Sequence, residues 1–137
     1  MILFTSDTDK SGKKALVTAT SYLAISIFTA FFGAVYEIFS HGIYSYFMIY
    51  AFAFPLVLGT LPFLIFGLKP CSKYPIRSVR CCYHATIATA TIGSIIKGVL
   101  DIYGTSSNLL WVYVYASAIM FAASIVLYLV QIFRKKQ

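Results

Sequence analysis

The chain has 137 residues, 60% of them hydrophobic and 11% charged, with a formal net charge of +7 and a mean hydropathy of +0.83. A water-soluble domain carries about 25% charged residues, so this composition excludes one: too little polar surface is present to wrap a core in water. The positive charge lies in clusters beside apolar blocks, which points to membrane topology rather than to a nucleic-acid partner.

Residues Met1–Ser11 are polar and mixed, and read as a short tail ahead of the first span. Four apolar blocks follow, roughly Ala15–Tyr36, Ile43–Leu68, Tyr83–Tyr103 and Leu109–Phe133. Each reaches the about 20 residues that a helix needs to cross a hydrocarbon layer about 30 Å thick. Helices are the expected solution, because an open strand at that depth leaves its backbone unpaired. The first block is longer than a signal-peptide core of about 7–15 residues and lacks an A-x-A site before Glu37, so it is retained as a span.

The second block is interrupted by Pro55, Gly59 and Pro62. Proline lacks an N–H, so a kink is expected, with freed carbonyls that need donors from inside the bundle. The outer half of this block is aromatic from Tyr44 to Phe54, as is the start of the fourth at Trp111, Tyr113 and Tyr115. Aromatic side chains at this depth read as an interfacial belt. The alternative is that Tyr36, Tyr44 and Tyr103 line a cavity open to the outside.

Between the second and third blocks, Lys69–Cys82 carries Pro70 and Pro75 and is the one connection long enough to separate two hairpins. Lys10, Lys13 and Lys14 precede the first span, Lys69, Lys73, Arg77 and Arg80 fill the middle connection, and Arg134, Lys135 and Lys136 follow the last span. The linkers Glu37–Gly42 and Gly104–Asn108 hold no Lys or Arg. Basic residues in short loops stay cytoplasmic, which predicts both termini and the middle connection inside a plasma membrane and both linkers outside. The bilayer itself is the first expected partner, its anionic headgroups meeting the basic clusters.

The expected fold is thus an all-α membrane protein, a four-transmembrane-helix bundle in one domain over residues 1–137, built from two hairpins. A weak internal repeat at an offset of 64 lays Val35–Phe39 over Val99–Tyr103 and Ser26, Ala30 and Ala34 over Ala90, Ser94 and Gly98. Hairpins inserted in the same sense would make it a parallel repeat. Thr86, Ala90, Ser94 and Gly98 form a stripe of small residues at a spacing of four, with Ala116, Ala123 and Ser124 as counterparts on the last helix; small side chains let membrane helices approach.

Charges inside or at the rim of a span are costly and point to function. Glu37, Lys97 and Asp101 are the three here. Lys97 lies roughly 6 Å past the midplane of the third span at 1.5 Å per residue, and Asp101 is one turn further out, at the i,i+4 spacing of an ion pair. Thr89 and Gly93 continue that stripe inward. Glu37 ends the first span on the same side, with His41 in the linker, so all four side chains are expected in one outer layer. Two readings stand: a buried ion pair that fixes register between the hairpins, or an outward-facing polar pocket for a small solute, a cation or protons.

No catalytic residue is assigned, since G-x-S-x-G, H-E-x-x-H and glycine-rich phosphate loops are absent from the sequence. No cofactor or metal is expected: His41 and His84 fall at opposite faces of the membrane, and Lys97 competes for the carboxylate oxygens. Cys71, Cys81 and Cys82 lie in the cytoplasmic connection, where disulfides are disfavoured, and their spacing suits a zinc site poorly. The functional expectation is a small transporter, channel or solute-binding subunit, homo-oligomeric or with partner membrane subunits; the alternative is a non-transporting accessory subunit of a membrane complex.

Overall fold

The computed structural model describes residues 2–69 and 74–134, with side chains from Lys10 onward. Cys71, Pro70, Lys73, Lys135 and Lys136 therefore lie outside the described residues. The described residues are helical with no strand, and four helices are long and apolar enough to cross a membrane: Lys10–Phe39, Tyr46–Leu68, Arg77–Ile102 and Leu110–Arg134.

The first helix, α1, runs from Ile2 to Phe39. It absorbs the segment read from sequence as a polar tail: no proline breaks Met1–Lys14, and polar residues such as Lys and Thr are compatible with helix once water solvates them. At about 1.5 Å per residue its 38 residues exceed the bilayer core, so the polar end projects beyond the apolar part. A turn at Ser40–Gly42 reverses the chain, with His41 (φ 56°) and Gly42 (φ 88°) both left-handed.

The second span is broken as its prolines require. It passes through α2 (Tyr46–Ile49), a 3₁₀ turn (Tyr50–Phe52), a π-helical segment (Phe54–Thr60) and α3 (Leu61–Leu68). Pro55 opens the π segment, and the N–H of Leu61 bonds the carbonyl of Leu56 five residues back. Pro75 and an extended Ile76 set the start of α4 (Arg77–Ile102), six residues before the apolar block. After the turn at Tyr103–Leu109, α5 (Leu110–Arg134) is regular throughout.

The helices stand in a row. The second span packs between α1 and α4, α4 packs against α5, and neither α1 with α4 nor the second span with α5 forms a backbone-level contact. The first contact is a run of close approaches between α1 and the second span. An added Cβ at Gly67 would overlap Leu16, one at Gly59 would overlap the Tyr22 ring, and one at Gly33 would sit 3.1 Å from the Met48 carbonyl.

The same Met48 is met from the other side by α4, where a Cβ on Gly98 would fall 2.9 Å from its backbone N. Met48 is 1% exposed between these two glycines. On α4 the stripe of small residues buries Thr86, Ser94 and Gly98. Gly93 in turn abuts Tyr113 of α5.

Hydroxyls supply the donors that the broken span needs. Pro62 cannot donate to Leu58 four residues back, and Tyr83 Oη of α4 donates to that carbonyl at 2.8 Å. Ser26 Oγ of α1 donates to the Phe52 carbonyl at 3.1 Å, and Ser94 Oγ of α4 to the Phe47 carbonyl at 2.7 Å. Thr60 Oγ1 lies 3.4 Å from the Pro55 carbonyl within the span itself. Both neighbours thus repair one irregular helix, a solution open to side chains where water is absent.

Candidate functional site

Lys97 and Asp101 are set one turn apart by α4 and form an ion pair, with both side chains partly exposed. Lysine N-terminal to the acid is the less favourable order on a helix, and Asp101 faces the negative end of its own helix dipole. Two contacts from the second span offset this. Ser45 Oγ, buried, donates to Asp101 Oδ2 at 3.3 Å, and Lys97 Nζ lies 5.2 Å from the centroid of the Phe47 ring, a cation–π distance.

Glu37 forms no ion pair with Lys97. It lies on α1, which has no backbone-level contact with α4; Gly33 of its helix and Gly98 of α4 both close on Met48 of the second span. Glu37 Oε1 is shielded from solvent and has no hydrogen-bond partner. His41 is exposed at the tip of the turn. The Tyr36 and Tyr103 side chains meet through their hydroxyls, linking the ends of α1 and α4.

A cavity of about 420 Å³ opens on the α5 side of α4, and Lys97 is on its wall. Phe47 and Phe54 of the second span, Thr89 and Gly93 of α4, and Trp111 and Tyr113 of α5 frame it. Ser106, Ser107 and Asn108 of the turn complete its lining. The lysine stripe inferred from sequence, Thr89–Gly93–Lys97, therefore faces the cavity. Glu37, His41 and Asp101 are outside its lining, as are Tyr36, Tyr44 and Tyr103; its aromatic walls are Phe47, Phe54, Trp111 and Tyr113 instead.

Chemically the cavity offers one ammonium, several hydroxyls, an amide and aromatic faces. That suits a small molecule with an acceptor group at one end and an apolar body. Its volume falls in the range of ordinary ligand sites, about 300–1,000 Å³. Among the described residues no three His, Cys, Asp or Glu side chains come together as a metal site. Cys81 is an exposed thiol and Cys82 a half-buried one.

A second polar cluster was not singled out by the sequence. Tyr22 Oη and His84 Nδ1 are 2.5 Å apart between α1 and α4, and the Phe63 ring stacks near both, at 6.0 Å from Tyr22 and 5.3 Å from His84. Gln131 of α5 accepts from the N–H of Ile76 at 3.0 Å and donates to the Tyr74 carbonyl at 2.9 Å. A glutamine, the one amide side chain of α5, was the available signal for that clasp.

Against protein-family models, curated proteins and solved structures, the chain has no match.

Proposed function

We propose that the chain is an integral membrane protein with both termini and the connection between α3 and α4 in the cytoplasm, and that it binds a small polar-headed solute at an outward-facing site beside Lys97. The topology rests on the basic clusters at one end of the helix row and their absence from both turns at the other. The solute reading rests on one observation: the Lys97 ammonium, positioned by Asp101 and Phe47, is on the wall of a cavity at the end away from the basic clusters. A cation on the wall favours a solute with an anionic or other acceptor group over a metal or organic cation.

Transport through a single copy has little support, because helices in a row enclose no path. A transporter or channel built from this chain needs a second copy or a partner subunit along α5. Trp111 is the only tryptophan of the chain and lines the cavity, so its fluorescence reports occupancy. The test is titration of the purified protein in nanodiscs with a panel of small carboxylates, zwitterions and neutral polar solutes. A saturable change in emission is expected, lost in Lys97→Ala and Asp101→Asn while both variants still insert and purify. Wild-type binding and transport by both variants would make the ion pair purely structural.

The second reading, an accessory subunit, is favoured by α5 itself. It buries only Ser124 and Gln131 among its described residues and packs on α4 alone. A stoichiometric membrane partner that co-purifies and is lost in Ile119→Trp, with the cavity unresponsive to every solute, would favour this reading over the first.

A further inference from the structure

A groove of about 260 Å³ lies at the basic end of the helix row, between α3, the start of α4 and the second half of α5. Its floor and walls are apolar: Phe63 and Phe66 of α3, Val79 of α4, and Phe121, Ile125 and Leu129 of α5. One charged side chain, Arg80, reaches into this lining. Arg80 Nη1 donates to Tyr74 Oη at 3.2 Å, and its Cζ lies 5.1 Å from the centroid of the same ring. Its Nε is shielded from solvent and has no hydrogen-bond partner. No carboxylate pairs with Arg80 among the described residues, where Lys97–Asp101 is the one ion pair.

A half-buried arginine with no carboxylate partner beside an apolar trough calls for an anion that carries a hydrocarbon chain. We propose that this groove is a binding site for one anionic phospholipid, its phosphate on Arg80 and an acyl chain along Phe66, Phe121, Ile125 and Leu129. The inference rests on the reading that the helices cross a bilayer. Position selects the lipid over a free anion. Lys69, Arg77 and Arg134 are exposed at the same end of the helices, where headgroups of an anionic leaflet would lie, and Phe121, Ile125 and Leu129 are open to the hydrocarbon beside them. The planar guanidinium suits a phosphate through two parallel N–H donors. The Gln131 clasp on Tyr74 and Ile76 holds the Tyr74 ring against the arginine, so the headgroup position is set before lipid arrives.

The test is thermal unfolding of the full chain in detergent, titrated separately with dioleoylphosphatidylglycerol, dioleoylphosphatidylcholine and inorganic phosphate. Phosphatidylglycerol is expected to raise the midpoint saturably, while the other two do not. Arg80→Gln should weaken the apparent affinity about tenfold, the loss of one charge-assisted contact. Ile125→Trp, which fills the trough and leaves the charge in place, should weaken it comparably. Arg77→Gln and Arg134→Gln should stay within about twofold of wild type, as screened surface charges do. Equal loss in all three arginine variants, an equal shift from inorganic phosphate, or full lipid response in Ile125→Trp would each overturn the proposal. The groove and the Lys97 cavity share no residue, so unchanged solute binding in Lys97→Ala sinks the solute site and leaves this one standing.

Discussion

Set side by side at an offset of 64 residues, the two hairpins differ most in their second helices. Pro55, Gly59 and Pro62 of the second span correspond to Ile119, Ala123 and Val126 of α5. The first set produces a helix that changes type three times, and the second an unbroken α-helix. Burial goes the opposite way. Met48 is 1% exposed and its counterpart Val112 is 59% exposed. The irregular helix is the packed one, held by hydroxyls from both sides, and the regular helix is the open one. In hydrocarbon a backbone departs from α geometry only where neighbours satisfy it; α5, with one neighbour, has no such support and stays regular.

Substitutions that remove or add support on one side can break this contrast. The largest effect is expected for Gly98→Val. Its Cβ would press on backbone atoms of Met48, which cannot turn aside as a side chain would, so a cost of about 3 kcal/mol is expected, read as a lowered midpoint in reversible unfolding from mixed micelles. Gln131→Ala comes next, at about 2 kcal/mol, because it leaves the Ile76 N–H and Tyr74 carbonyl without the partners they have now; a smaller cost than that of Tyr83→Phe would show α5 held by its apolar seam alone.

Tyr83→Phe should cost about 1 kcal/mol, within the range for hydrogen bonds between membrane helices. Its cost should fall below about 0.5 kcal/mol when Pro62→Ala restores an N–H for Leu58, and a double-mutant cycle without coupling would remove the repair account of that hydroxyl. The smallest change is expected for Ile119→Ala, within about 0.5 kcal/mol for an exposed position. A substantial loss there, accompanied by a change in oligomeric state, would show that α5 has a partner in the membrane.

Much of this arrangement was legible from residue spacing. Block lengths locate four long apolar helices, the prolines mark the broken one, and the i,i+4 spacing pairs Lys97 with Asp101. The boundaries moved where polar residues continue a helix, at Ile2 and at Arg77, since hydropathy finds the apolar stretch and not the helix that contains it. The outer layer was read as a single site because Glu37 and Asp101 end their helices at the same level. Which helices touch is a separate question: α1 and α4 meet through side chains alone, the Tyr36 and Tyr103 hydroxyls among them. Spacing placed Thr89, Gly93 and Lys97 on one face, but the cavity before them is shaped by α5 and the Ser106–Asn108 turn, whose docking no local pattern encodes. Arg80 and Gln131 gave little warning, one resembling a topology charge and the other an isolated polar residue.

The π segment has a consequence for how the second span is to be read. Its bonds step five residues back, as from Leu61 to Leu56, so the stretch Phe54–Thr60 accommodates a residue that an α-helix covering the same faces would not hold. The 3₁₀ turn at Tyr50–Phe52 overwinds just before it and offsets part of that slip. Met48 and Ala51 before the slip and Phe63 after it are all buried, so the span keeps one buried side across it. The span behaves as two short helices spliced with a spare residue, and the splice lets one half seat Met48 between two glycines while the other stacks Phe63 beside Tyr22 and His84.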